Sequence, residues 1–145
     1  LHLANAGIDD SISFGSLNSI VDLDLSGNGG ITKFPNIETS GKVNNISLRN
    51  TGITDLSIES DIQIQEVDKL DLSGNALTSI SALNELNYIG TLDLSGNVTL
   101  DSISSLDPAN GIDIDFLILE GISRSNEITT IVDKLENNGT TVIDY

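Results

Sequence analysis

The sequence contains no cysteine, no methionine and no tryptophan, and it has one histidine and two prolines. Without cysteine, the chain can form no disulfide bond and offers no thiolate to a metal ion. The single imidazole, His2, cannot supply a zinc-ligand set or a catalytic triad, and without a neighbouring base no serine is activated as a nucleophile. The phosphate-binding glycine motifs are also missing. We therefore predict that the chain is not an enzyme.

Positive charge is scarce. Six lysines and arginines stand against 22 aspartates and glutamates, which gives a formal net charge of −16. A field of this sign repels nucleic-acid phosphates and anionic lipids, so we predict no nucleic-acid partner. The sequence also has no apolar run near the length of a membrane span, which predicts no membrane insertion by this segment.

The chain begins without a methionine, and it is rich in Ser, Thr, Asn, Asp and Gly. The first feature suggests a processed chain or an excised fragment, and we expect the natural protein to continue on at least one side. The second feature is typical of secreted or cell-surface proteins, although a protein from a halophile would show the same balance. An extracellular or cell-surface location is the expectation.

One short motif recurs along the chain. LDLSGN occurs at 70–75 and 92–97, and a near-copy lies in VDLDLSGNGGITKF at 21–34. Doublets of the form L-x-L, with two apolar residues two positions apart, recur every 22 to 24 residues. Their first residues are Leu1, Leu23, Ile46, Leu70, Leu92 and Ile114. A fixed period of this length indicates a repeat architecture.

The L-x-L alternation predicts a short strand with both leucines on one face and the middle residue on the other. Successive units would stack these strands in parallel, and each unit would bury its leucines only against its neighbours. We therefore predict one α/β domain over residues 1–145, with units that start near residues 1, 23, 46, 70, 92 and 114.

The segment LDLSGNALTSISALNELNYIG resembles the leucine-rich repeat, L-x-x-L-x-L-x-x-N-x-L. Its 22-residue length and its T-S-I-S-x-L tail are similar to the bacterial surface class typified by the internalins. The resemblance implies a right-handed solenoid with a parallel sheet on its concave face and an irregular or 3-10 convex side. It also implies protein–protein or adhesive contact at a bacterial surface.

In this family the asparagine of the motif points inward and bonds the backbone of its own turn and of the next coil. The residues at that position here are Asn28, Asn75 and Asn97. The other units place Ala6, Thr51 and Leu119 there. Asn5 and Asn50 stand one position early, and we expect them to act as substitutes from a shifted turn.

The C-terminal segment departs from the pattern. Ile128, Ile131, Val132 and Leu135 have helical spacing, which predicts a helix at about 126–137, and TTVIDY predicts a strand at about 141–145. Ile143-Asp144-Tyr145 would be a seventh doublet. The two longer units are expected to bulge on the convex side, where IQIQEV (62–67) would add a short strand.

The outward face of the predicted sheet is the candidate site. Its residues are Asp22, Asp24, Ser47, Arg49, Lys69, Asp71, Asp93, Asp113, Asp115 and Leu117. Four of them form one predicted column of carboxylates, Asp24, Asp71, Asp93 and Asp115. Such a column would attract a basic protein surface or a divalent cation. Alternatively, aspartate is simply common at this solvated position.

No cofactor is predicted, and calcium is the one metal considered. The segment DPANGIDID (107–115) is faintly similar to a calcium loop, but Ala109 stands where a ligand belongs. Asp-Pro and Asn-Gly are also ordinary turn formers. The sequence leaves two functions open: a binding module for another protein, or a structural spacer that associates end to end.

Overall fold

The computed structural model describes residues 1–14, 22–37, 42–56 and 64–145. These ranges contain six β-strands and one α-helix: β1 (Asp22–Asp24), β2 (Val43–Ser47), β3 (Glu66–Asp71), β4 (Tyr88–Asp93), β5 (Asp113–Ile118), α1 (Asn126–Asn137) and β6 (Thr141–Ile143). Short 3-10 turns occupy Ser81–Glu85, Ser104–Leu106 and Pro108–Asn110.

The described strands form one parallel sheet in sequence order, from β1 to β6. The doublet leucines align across it in one buried row: Leu23, Ile46, Leu70, Leu92 and Leu117, with the partly buried Val142 at the end. The predicted parallel sheet is therefore confirmed. Ahead of β1, a single parallel bridge between His2 and Asp24 adds the first unit to the same edge.

Each of the strands β2 to β5 is accompanied by two more apolar residues in the core. In β3, for example, Val67, Leu70 and Leu72 are all buried. Because Val67 and Leu70 are three positions apart, the two residues between them both lie toward the outward face, and strict alternation begins only at Leu70. The core is therefore lined by the full L-x-x-L-x-L pattern rather than by the doublet alone.

The predicted C-terminal helix is confirmed as α1, and its ends follow local rules. The Ser125 hydroxyl accepts a hydrogen bond from the Ile128 backbone N–H at 3.1 Å, which caps the first turn. Glu127 and Lys134 lie at the ends that suit the helix dipole. The buried face consists of Ile128, Ile131, Val132 and Leu135. A glycine at a positive φ, Gly139, follows the end of the helix.

The predicted alignment of the last units is wrong. Ile114 pairs with Ile89, and it is Leu117 that pairs with Leu92. The sixth doublet is therefore Leu117-Ile118-Leu119, three residues later than predicted. Ile114-Asp115-Phe116 imitates a doublet, but Phe116 lies on the outward face. The predicted position in β6 is also wrong: Val142, one residue before Ile143, pairs with Leu117 and takes the doublet position.

The predicted convex strand in IQIQEV is also corrected where the structure describes it. Glu66 begins β3, and Val67 pairs with Val43 and Ile89 inside the main sheet. Ile64 is buried just ahead of the strand. The predicted bulges fall in the segments 29–44 and 51–69, of which residues 38–41 and 57–63, including Ile62, lie outside the described residues.

Gly52 marks a close approach between neighbouring units. Its N–H donates to the Ile31 carbonyl at 2.8 Å, and a Cβ at this position would lie 2.5 Å from the Gly29 carbonyl oxygen. We expect Gly52→Ala to lower the free energy of unfolding by about 2 kcal/mol, because two backbones must separate. Urea denaturation measures the change.

The matched control for this substitution is Gly29→Ala. A Cβ there meets no described atom within 4 Å. We expect no loss of stability at this position. An equal loss for both variants would mean that the close approach at Gly52 does not set the cost.

Candidate functional site

The middle aspartate of the doublet closes the turn that follows its strand. Asp24 Oδ1 accepts hydrogen bonds from the Ser26 backbone N–H at 3.0 Å and from the Ser26 hydroxyl at 2.7 Å. The same two bonds join Asp71 to Ser73 and Asp93 to Ser95. The D and S of LDLSGN therefore form a side-chain-closed turn, and one oxygen of each carboxylate serves the fold.

The Ser26 hydroxyl and then the Ser26 backbone N–H hold the pKa of Asp24 below its ordinary value, and His2 nearby adds to the effect. A lowered pKa keeps this carboxylate ionised through mildly acidic conditions. Asp24 therefore contributes negative charge to the outward face as well as a hydrogen bond to its turn.

The next position in the motif has a left-handed backbone in all six turns that the structure describes. The residues are Asn5, Gly27, Asn50, Gly74, Gly96 and Gly121, with φ between +52° and +78°. Asparagine tolerates this region better than other side chains do. The prediction for Asn5 and Asn50 is therefore wrong: they occupy the glycine position of an unshifted turn, and they do not replace the inward asparagine.

The inward asparagine tests the predicted ladder. Asn97 Nδ2 donates to the Leu94 carbonyl at 2.7 Å and to the Leu72 carbonyl at 3.0 Å, while its Oδ1 accepts from the Leu77 N–H at 3.1 Å. Asn28 and Asn75 bond in the same way. All three side chains are buried. The ladder exists, but it ties each turn to the preceding unit and not to the next one.

The units without this asparagine manage differently. Thr51 Oγ1 lies 3.0 Å from the Leu48 carbonyl and keeps one bond of the ladder. In the sixth unit the corrected alignment places Ile122 at this position, and Leu119 is instead a buried doublet residue. The ladder therefore ends with Asn97, just before the outward face also changes in character.

Over its first four strands the outward face is polar. A depression of about 260 Å³ crosses β1 to β3, and it brings together five predicted site residues: Asp22, Asp24, Ser47, Lys69 and Asp71. Asp93 continues the column beside Asp71. Arg49 is exposed in the turn after β2. This part of the predicted site is assembled as expected.

The predicted site residues of β5 are placed differently. Leu117 is 0% exposed and belongs to the core. Asp115 does not join the carboxylate column, because the residue in register with Asp93 is Ile118. Asp113 is exposed and pairs with Tyr88 at the start of the strands. Among the described residues, the carboxylate column therefore contains Asp24, Asp71 and Asp93.

Toward the ends of the last two strands the outward face becomes apolar instead. Ile118 pairs with Ile143, and Phe116, which is 46% exposed, lies two residues before Ile118. We call Phe116, Ile118 and Ile143 the outer apolar cluster. The doublet alignment of Ile114 with Leu92 does not predict this cluster, because it places Phe116 on the inward face. Matching the whole L-x-x-L-x-L pattern to Ile114, Leu117 and Leu119 would have revealed it.

A polar network joins four strands at their starting ends. The Tyr88 hydroxyl donates to Asp115 Oδ2 at 2.7 Å, and Lys42 Nζ lies 5.6 Å from the Tyr88 ring centre and 2.6 Å from Asp68 Oδ1. Gly90 leaves room for the tyrosine, because a Cβ there would lie 3.2 Å from its hydroxyl. Asp115 therefore holds a neighbouring side chain in place.

The bond to Asp115, with burial as the next cause, raises the pKa of Tyr88 to about 12. Since the folded pKa lies above the unfolded value of about 10, the bond stabilises the fold below pH 10. That contribution is lost as the pH rises toward 12. We expect Asp115→Ala to move the Tyr88 pKa back toward 10.

Phenolate absorbance measures this pKa directly, because the chain has no tryptophan and only two tyrosines. A Tyr145→Phe background leaves Tyr88 as the single chromophore. If Tyr88 titrated near pH 10 both with and without Asp115, the bond would be absent in solution.

Metal binding gains no support from the geometry. Across the ranges that the structure describes, no group of three or more His, Asp or Glu side chains is arranged to hold an ion. In the calcium-like segment, Asp107 Oδ1 accepts from the Ala109 N–H at 3.0 Å, and Oδ2 lies 2.5 Å from Lys134 Nζ. Lys134 and then the Ala109 N–H lower the pKa of Asp107. This carboxylate caps a turn and anchors α1.

Compared with protein-family models, with curated proteins and with solved structures, the chain matches none of them. Among the described helices, none has the length and apolar character needed to cross a membrane.

Proposed function

We propose that this chain is a leucine-rich-repeat solenoid, and that it serves as a non-enzymatic protein-binding module of a secreted or cell-surface protein. The observation that carries this proposal is the uncovered face of the sheet. Parallel sheets are normally packed on both faces. Here Asn45, Lys69, Phe116 and Thr141 are exposed on the outward face, and no described element packs over them.

The turn chemistry supports the repeat assignment. The motif residues each have a local structural task, and the same tasks recur in successive units with the same partners. A repeat protein built in this way presents a broad surface whose shape does not depend on the ligand. The net charge of −16 favours a partner with a basic contact surface.

The test is a random-peptide display selection against the whole chain, followed by NMR mapping of the selected binders. We expect enrichment of Lys and Arg in the binders and shift changes on β1 to β6. Asp22→Lys should weaken binding about threefold, since it reverses a half-buried charge that lines the depression. A footprint on α1, or no enrichment, would contradict the proposal.

Asp133→Lys is the matched control, because Asp133 is exposed on α1 and its substitution changes the net charge by the same amount. Asp71 and Asp93 are unsuitable for charge reversal, although the sequence suggested them. Their carboxylates close the turns after β3 and β4, so a lost contact and a lost turn would look alike.

A second function, self-assembly or spacing of other domains, rests on the edge of β6. In the described chain this strand pairs with β5 alone, so one row of backbone groups is available to a further strand. Light scattering across a range of concentrations tests it. A mass that stays at one chain would remove end-to-end association.

A further inference from the structure

We propose that the outer apolar cluster is the anchoring point for a protein partner, and that the partner presents an aromatic or branched aliphatic side chain flanked by lysine or arginine. This inference rests on the proposed binding function and gives it a place and a chemistry. The remainder of the outward face would then steer the partner and contribute less to affinity.

The first step is geometry. Phe116 and Ile118 are two residues apart on β5 and face outward, and parallel pairing places Ile143 beside Ile118 at about 4.8 Å. The three side chains therefore form one patch, in which Phe116 is exposed and Ile118 and Ile143 are half-buried. Their neighbours Leu117 and Leu119 point the opposite way and are fully buried, so the patch is not required for the core.

The second step is position. Scattered surface apolar residues need no explanation, whereas a patch in an otherwise polar face does. In the row of Ile118 and Ile143 the earlier strands carry Asp24, Ser47, Asp71 and Asp93. Aliphatic side chains replace carboxylates in one step, at the strand where the asparagine ladder ends.

The third step is the charge around the patch. Asp93 adjoins Ile118 in the next strand, Asp115 precedes Phe116, and Glu120 is exposed in the turn after β5. An apolar centre with an acidic rim matches a contact surface with the opposite rim charge. A second copy would bring the same acidic rim, and anionic lipid would be repelled by it.

The test uses three synthetic peptides of equal length and measures binding by fluorescence anisotropy at physiological salt. One alternates lysine with phenylalanine, the second replaces phenylalanine with serine, and the third replaces lysine with glutamate. We expect the first peptide to bind at least about tenfold more tightly than either of the others, because it alone supplies both the anchor and the charge.

Phe116→Ser and Ile118→Thr should each weaken the first peptide about tenfold, as expected for an anchor position. Val98→Ser is the matched control, since Val98 is 70% exposed but lies in the turn after β4. Circular dichroism and the thermal midpoint verify that the variants are folded. Equal binding by all three variants would reduce the interaction to charge alone and would overturn the inference.

The remaining outcomes separate this inference from the proposed function. Binders from the display selection that map to β1 to β3 and ignore Phe116→Ser would overturn the inference while leaving the binding function intact. An absence of any binder on the outward face would overturn both. If the chain formed dimers and Phe116→Ser abolished them, the occupant would be a second copy. If the chain sedimented with phosphatidylcholine vesicles, the occupant would be lipid. Either result contradicts a basic protein partner.

Discussion

Asn97→Leu is expected to lower the free energy of unfolding by about 4 kcal/mol, because it leaves several buried backbone groups unpaired. The side chain is 0% exposed and bonds the Leu72 and Leu94 carbonyls and the Leu77 N–H. Leucine has the same branching and the same number of side-chain heavy atoms, so no cavity forms and the main effect is the loss of hydrogen bonds. Urea denaturation, extrapolated to water, gives the value.

Two further variants provide comparisons for the stability loss of Asn97→Leu. Asn84→Leu changes an exposed asparagine in the 3-10 turn at Ser81–Glu85 and should alter stability by less than about 0.5 kcal/mol. Asn97→Thr should cost about half as much as leucine, because Thr51 shows that a hydroxyl can keep one bond of the ladder. If leucine and threonine were equally harmful, the ladder bonds would not be the cause.

Leu117→Ala is the second large effect, and we expect a loss of about 3 kcal/mol. Leu117 lies in the central buried row, between Leu92 and Val142, where few atoms can move to fill the space. The loss combines the apolar surface that is no longer buried with the cavity that remains. Thermal and urea denaturation should both report it.

Phe116→Ala is the control for this prediction, since Phe116 is the adjacent residue on the outward face. We expect it to cost less than about 1 kcal/mol despite the larger side chain. The pair also tests the alignment of the sixth unit. If Phe116 were the costly substitution and Leu117 the mild one, β5 would have the alignment predicted from the doublets.

Much of the fold can be predicted from the sequence, because the same few residues recur with the same local structural role. Doublets at a steady spacing predict a parallel sheet, and the spacing from Ile128 to Leu135 predicts α1. The asparagines are also predictable, since a buried amide needs partners and a turn provides them. These signals are strong because each is repeated or is purely local.

The alignment of β5 was not predictable from doublets, because Ile114-Asp115-Phe116 alternates as a doublet does. The full L-x-x-L-x-L pattern over Ile114, Leu117 and Leu119 favours the observed alignment, and the burial of Leu117 decides between the two. The role of Asp71 and Asp93 in closing their turns was not predicted, for another reason. An aspartate that faces water and one that closes a turn look alike in sequence, unless the serine two positions later is considered with it.

The backward direction of the asparagine bonds has a consequence for how such a chain can lengthen. Each turn carries the asparagine that bonds it to the preceding unit. The preceding unit contributes only backbone groups to these bonds. A tandem copy of a gene segment that encodes one such turn would therefore encode the asparagine needed to bond the new unit to the one before it. Growth by duplication needs no redesign of the junction, and LDLSGN at 70–75 and 92–97 shows the same motif in two successive units.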